Sequence, residues 1–194
     1  MVTTRNSHAD VVAAAGRLFA ERGYHGTSMR DLGRELGLLG SSLYAHVESK
    51  QDLLVEVVEE GARLFEDSAR TAMLEQGSAR ERLRALVTGH VDVVLDHLDI
   101  ARTFLNEARA LDVTRRARVI EARDHYEAGF RSVLQEGIAS GEFRRDLDPK
   151  TTSIFVLSIL NAIERWYHPS GAVGRDELVD RLTGFVLSGV IADR

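Results

Sequence analysis

The 194 residues contain no cysteine, which excludes a disulfide framework, a thiolate nucleophile and any cysteine-ligated metal. Only two prolines interrupt the chain and aromatic residues make up 6% of it. The longest apolar run, 154–163, is broken by Ser158 and Asn161 and reaches about half of what a membrane-spanning helix needs. The first eight residues lack the apolar stretch of a secretory signal, so the expectation is a cytoplasmic chain without a membrane partner. A strongly basic balance is missing too: the formal charge is −5, which by itself argues against a general affinity for nucleic acid. What remains is 44% hydrophobic and 28% charged, enough apolar surface for the cores of one or two small domains.

Scarce proline, abundant Ala, Leu, Glu and Arg, and apolar spacing of period 3.6 nearly throughout predict an all-α chain of about nine helices. The first runs from Ala9 to Glu21, with Gly23 as its C-terminal stop. Ser28-Met29-Arg30-Asp31 reads as a capping box that opens a short second helix ending near Gly37. A third covers Leu39 to Val47, with Leu43 and Val47 on one face and Ser41, Ser42, Tyr44 and His46 on the others. Longer helices follow over Gln51–Glu75 and Ala79–His97. Asp99 is the expected N-cap for Ile100–Ala110, and Asp112 or Thr114 opens a helix to Ala139. Asp148-Pro149 starts a helix to about Tyr167 that is apolar nearly all round, and Asp176 to Ile191 forms the last.

Two short helices separated by a glycine-containing turn and preceded by a packing helix make a helix-turn-helix, whose second short helix fits the major groove. The residues that build it, from Leu18-Phe19-Ala20-Glu21-Arg22-Gly23-Tyr24 through Thr27-Ser28-Met29-Arg30-Asp31-Leu32 to Leu43-Tyr44-Ala45-His46 and Lys50, resemble the N-terminal domain of the TetR family of transcriptional repressors. The resemblance covers about Ala9 to Leu54. It implies an all-α architecture with an N-terminal three-helix DNA-binding domain, residues 1–50, and a C-terminal helical bundle for ligand binding and dimerisation, residues 51–194.

By that resemblance Thr27, Ser28, Arg30, Ser41, Ser42, Tyr44, His46 and Lys50 face DNA. Hydroxyls and helix N-terminal amides suit phosphate oxygens, Arg30 suits a guanine edge, and Lys50 suits a phosphate held at a helix N-terminus. Leu39-Gly40 departs from the family pattern, which has a small polar cap and often a basic residue there, so base readout shifts toward Arg30 and Tyr44. Read without the motif, Arg30 is only a solvated surface charge and Tyr44 is part of a core. Paired recognition helices match successive major grooves about 34–36 Å apart, which implies a palindromic operator and a homodimer. The last two helices supply its interface: the first has more apolar faces than one core needs, and the second sets Gly184 and Gly189 among Leu182, Phe185 and Val186. Both are alternatively central core helices.

Three looser stretches, Arg123–Glu127, Gly141–Pro149 and Asn161–Gly171, resemble TetR-type regulators of fatty-acid or steroid catabolism, which implies an acyl-coenzyme A inducer. The candidate pocket residues are Phe65, His90, His97, Phe104, Arg123, Tyr126, Phe130, Asn161, Arg165, Trp166 and Tyr167. In that scheme Arg123 and Arg165 meet phosphates, Trp166 or Tyr167 stacks on adenine, and an apolar tunnel takes the acyl chain. Equally open is packing of Trp166 and Tyr167 at a dimer boundary, with the arginines in surface ion pairs.

His90 and His97 lie seven residues apart on one helix, too far to share an ion without a third ligand, so no metal and no cofactor is expected. No phosphate loop, nucleophile elbow or dinucleotide fingerprint is present, and no enzyme is expected. The chain therefore reads as a ligand-responsive transcriptional repressor. A regulator of drug efflux with a cationic lipophilic inducer, and a binding or enzymatic bundle with an incidental helix-turn-helix, stand beside it. The charge divides unevenly: residues 1–50 carry six Lys or Arg against five Asp or Glu, a balance of +1, and residues 51–194 carry −6. Acidity belongs to the bundle, and the DNA-binding part relies on few contacts used twice.

Overall fold

The computed structural model describes residues 7–38, 43–168 and 170–192. The helices are α1 (His8–Gly26), α2 (Met29–Leu36), α3 (Lys50–Met73), α4 (Ala79–Asp96), α5 (Leu98–Asn106), a 3-10 turn (Glu107–Ala110), α6 (Val113–Ser140), α7 (Pro149–Asn161), α8 (Ile163–Trp166) and α9 (Arg175–Val190). Among the described residues there is no β-strand, only an isolated antiparallel bridge between Phe143 and Ile191. No helix among them is long and apolar enough to cross a membrane.

The helix starts obey local chemistry. At α1 the Ser7 side chain accepts from the Asp10 amide, and the Asp10 carboxylate accepts from the Ser7 amide. Ser28 and Asp31 repeat this at α2, and Ser78 and Glu81 at α4. Asp52 N–H donates to Ser49 Oγ at the head of α3. Each arrangement satisfies amides that a helix end leaves unpaired. The side-chain hydrogen bond from Ser28 also holds the Asp31 carboxyl below the usual carboxylate range. Asp112 accepts from the Arg115 amide at 2.9 Å and Asp148 from the Thr151 amide at 2.8 Å, with Pro149 at the first position of α7 as expected.

Helix ends depart from expectation at three places. Gly23, at φ +73°, interrupts α1 without ending it; one further turn runs to Gly26, and the amide freed at Tyr24 donates to Glu107 Oε2 at 3.0 Å. The N-cap of α5 is His97, not Asp99, and its side chain makes no capping bond. The expected helix from Asp148 to Tyr167 is two, because the chain turns at Ala162 before restarting at Ile163. Gly37 meets expectation, closing α2 in the left-handed region at φ +65°.

The chain forms two compact units that do not follow sequence order. The first comprises Met1–Arg63 and His97–Ile120, the second Leu64–Asp96 and Glu121–Arg194. Compactness therefore does not divide the chain at residue 50: the first half of α3, α5 and the start of α6 cluster with the N-terminal helices. In the first unit Val11, Ala14, Ala15, Leu18 and Phe19 of α1 are buried along with Leu32, Leu43, Leu53, Leu54 and Val57. Phe104 of α5 lies against Gly61 of α3, where a Cβ would stand 2.6 Å from the Phe104 Cβ. In the second unit Leu83, Leu86, Val91 and Val94 of α4 are buried with Phe130, Val133 and Leu134 of α6. Leu160, Ile163, Val186 and Val190 complete that core.

Glycines with and without room make a test of this packing. Gly61→Val is expected to lose about 1–3 kcal/mol in a thermal or urea melt, because Phe104 cannot yield without moving its backbone. Gly129→Ala, whose added Cβ meets nothing within 4 Å, is expected to gain about 0.5–1 kcal/mol from helix propensity.

Candidate functional site

The helix-turn-helix is built from the inside outward. Thr27 is 2% exposed, and its hydroxyl is within hydrogen-bond distance of the carbonyls of Leu18, at 3.1 Å, and Gly23, at 3.0 Å. Its predicted place among the DNA-facing residues is corrected on this ground: a buried hydroxyl tied to α1 locks the α1–α2 turn and offers nothing to a phosphate. Ser28 is exposed, but its hydroxyl is engaged with Asp31 in the cap. Arg30 is exposed and makes no ion pair among the described residues. Tyr44 is 57% exposed, so the alternative that places it in the core is excluded. His46 is half-buried, while Leu43 and Val47 bury the opposite face of the same turn. Ser41 and Ser42, with Leu39 and Gly40, lie outside the described residues.

Lys50 departs most from its expected role. Its ammonium donates to the carbonyls of Tyr24, at 2.8 Å, and Thr27, at 2.7 Å, and sits 4.1 Å from the centroid of the Tyr24 ring. Burial pushes its pKa below the usual lysine value. The charge expected to hold a phosphate is thus engaged inside the protein, clamping the end of α1 to the start of α3. Asp52, one residue beyond Gln51, meets Arg115 at 2.9 Å, and Glu107 takes the Tyr24 amide, so α3, α6 and the 3-10 turn grip the same corner.

The candidate pocket residues are distributed over both units. Phe65, His90, Tyr126 and Phe130 meet in the second unit: the Phe65 and His90 rings are 4.9 Å apart, Phe65 and Tyr126 5.5 Å, and Tyr126 and Phe130 5.5 Å. His90 is 1% exposed, with Nδ1 3.1 Å from the Tyr126 hydroxyl. Desolvation pushes the imidazole pKa down to about 3 and the Tyr126 phenol up. Arg123 lies one turn before Tyr126 on α6, and burial lowers its pKa. A cleft of about 440 Å³ is lined by Glu66, Ala69, Arg70, His125, Tyr126, Ala128 and Gly129.

His97 and Phe104 belong to the first unit, His97 exposed at the head of α5 and Phe104 buried against Gly61. Asn161 is half-buried in the last turn of α7 and Tyr167 half-buried after α8. Arg165 and Trp166 are exposed and line neither this cleft nor the groove on α7 and α9. The Gly141–Pro149 stretch performs structural work: Glu142 accepts from the amides of Ala79 and Arg80, Phe143 is buried, and Arg144 pairs with Asp146. Among the described residues no cluster of three His, Asp or Glu side chains is placed to hold a metal. Of the cleft residues, Glu66, Ala69, Arg70, Ala128 and Gly129 were not singled out from the sequence, although they recur at helical spacing on one face each of α3 and α6; His125 lies in the Arg123–Glu127 stretch.

Two outcomes follow from these geometries. Lys50→Met is expected to cost about 1–2 kcal/mol of stability while leaving the salt dependence of DNA binding unchanged; a log–log slope reduced by about one would instead place Lys50 on a phosphate. His90 takes up protons in the unfolded chain before it does so in the folded one, so its contribution to stability is full above about pH 6.5 and falls away toward pH 3. Between pH 6.5 and 5 it accounts for about 2 kcal/mol. Urea melts of His90→Gln should show that much less pH dependence across this window.

Comparison with known proteins agrees with this arrangement over nearly the whole chain. Residues 11–57 match the family described as bacterial regulatory proteins, tetR family, and residues 76–190 match the tetracyclin repressor-like C-terminal domain. The HTH-type transcriptional repressor KstR2 of Rhodococcus jostii is 27% identical over 182 residues, covering 93% of this chain and 89% of the relative. The structure of the ketosteroid transcriptional regulator KstR2 of Mycobacterium tuberculosis superposes with a TM-score of 0.91 at 25% identity, covering 100% of this chain and 98% of that one. AibR, solved in complex with isovaleryl coenzyme A and operator DNA, shares the fold with a TM-score of 0.84 at 24% identity, covering 92% of this chain and 96% of that one. The capped helix-turn-helix, the all-helical second unit and these matches agree that the chain belongs to the TetR family of ligand-responsive, DNA-binding transcriptional regulators.

Proposed function

We propose that the chain is a cytoplasmic homodimeric repressor that leaves a palindromic operator when an acyl-coenzyme A thioester binds. The observation that carries the DNA side is the exposure of Arg30 and Tyr44 on a helix-turn-helix in which Thr27 and Lys50 are tied down internally. Arg30 reads a base edge in the major groove, Tyr44 and the α2 N-terminus meet phosphates, and Ser28 keeps that N-terminus in register. Thr27 and Lys50 set the geometry without touching the duplex.

Dimerisation falls to α7 and α9. Ile154, Phe155 and Ile159 on one and Phe185 on the other are exposed, and between them runs a groove of about 660 Å³ lined by Thr151, Phe155, Val186 and Gly189. Beside Phe185, Gly184 and Gly189 leave open space where a Cβ would meet nothing. Exposed aromatic and branched side chains with small residues among them suit close approach of a second copy of the same face.

For the effector, the second unit offers a cleft with a mixed lining: Glu66, Arg70 and His125 provide the polar part and Tyr126, Ala69 and Ala128 the apolar part. That suits a phosphate-bearing carrier joined to a hydrocarbon chain, and isovaleryl coenzyme A is the molecule in the AibR complex. Release is a population shift: the thioester favours a conformation whose half-site spacing mismatches the operator, and its preference between conformations bounds the derepression.

Fluorescence anisotropy on the DNA upstream of the gene tests this. Two chains should bind per palindrome, with affinity falling steeply as salt rises. Isovaleryl- or decanoyl-coenzyme A should release the DNA and the free acids should not. Phe185→Glu should abolish both dimer and operator binding. One chain per site, or release by free acids alone, would sink the proposal.

A further inference from the structure

Within the second unit one polar atom stands out. The Nε2 of His90 is enclosed and has no hydrogen-bond partner. A buried polar group left without a partner costs about as much as the hydrogen bond it forgoes, and folded proteins keep few of them. Its character follows from its surroundings. Burial between Phe65 and Tyr126 keeps the ring neutral, so it carries a single N–H. The Tyr126 phenol stays protonated and is the natural donor to Nδ1 at 3.1 Å, which leaves the proton on Nε2. The orphan is therefore a donor set in an aromatic cage with Phe65 and Tyr126 as its walls and Phe130 behind Tyr126. Tyr126 touches both this imidazole and the 440 Å³ cleft, and over Gly129, three residues further along α6, the space is open.

We propose that the His90 Nε2–H is the anchor for the carbonyl oxygen of the effector, which enters from the cleft beside Tyr126 while the Tyr126 hydroxyl stays on Nδ1, and that it selects a neutral carbonyl over a carboxylate. This rests on the acyl-thioester proposal for the identity of the carrier. A neutral donor among aromatic rings stabilises a thioester carbonyl and the hydrocarbon that follows it. It offers a carboxylate no counter-charge and strips it of water. Arg70 and His125 line the cleft, where the phosphates of the carrier remain solvated. The imidazole thus reads whether the acid has been activated, and the cage reads the acyl chain.

Isothermal titration of the full-length protein with decanoyl-coenzyme A, its carbonyl-free analogue S-decyl-coenzyme A and decanoate tests the assignment. The thioether should bind about ten-fold or more weakly than the thioester, since it leaves the buried donor unmet. His90→Gln, which keeps an N–H donor, should retain that preference, and His90→Phe should erase it. Gly129→Leu, which fills the cleft, should weaken both ligands together. Equal binding of thioester and thioether by the wild type, or a preference surviving in His90→Phe, overturns the carbonyl anchor and leaves the acyl-coenzyme A proposal standing. Absence of binding by any thioester overturns both. Should His90→Phe fail to fold, the wild-type comparison and Gly129→Leu still decide.

Discussion

The clamp at Lys50 is the constraint on which the DNA-binding part depends. A helix-turn-helix presents its side chains usefully only if its first short helix is fixed against the packing helix before it, and here the turn between α1 and α2 is held by carbonyls pointing the same way. The kink at Gly23 directs the Tyr24 carbonyl, and the start of α2 directs that of Thr27, to a common point where one ammonium satisfies both. A neutral side chain could not bind two carbonyls and an aromatic face at once, and an arginine fork would not fit a single point. Thr27 closes the same corner from beneath, and Glu107 and Arg115 bind it to the rest of the first unit. The scarcity of positive charge noted in the sequence is thus sharper than the count implies, because one of the six basic residues of the N-terminal segment serves the fold.

Much of the fold was legible because its signals are local. Ser28 with Asp31, Gly37, and Asp148 with Pro149 each satisfy or end a helix using atoms within a few residues, so their spacing carries the information. The same four-residue spacing at Ser7–Asp10, Ser49–Asp52 and Ser78–Glu81 was equally readable and passed unnoticed. The break at Ala162 was not legible, since no glycine or proline marks it. The grouping of the first half of α3 with α5 was hidden as well, because it is a matter of packing between segments far apart in the chain.

The functional residues divide along the same line. Exposure of Arg30 and Tyr44 follows from helical phase and was foreseeable. The aim of the Lys50 ammonium was not, because it depends on a kink 27 residues away and on a long side chain with several rotamers. Phe65, His90, Tyr126 and Phe130 each appeared in the sequence as candidate pocket residues, and only the fold shows that α3, α4 and α6 bring them together. His97 and Phe104 lie on α5, which packs into the first unit.

The bare aromatic face of α7 and α9 ties the chain to its own abundance. A protomer that leaves Phe155 and Phe185 in water is a species that the cell keeps scarce, either by pairing it or by clearing it. When pairing is what covers that face, the number of complete repressors at low expression rises with the square of the amount of chain. Halving synthesis then removes about three quarters of the assembled form. A regulator built this way has a threshold before any effector arrives, and a promoter under its control responds to the dose of its own gene.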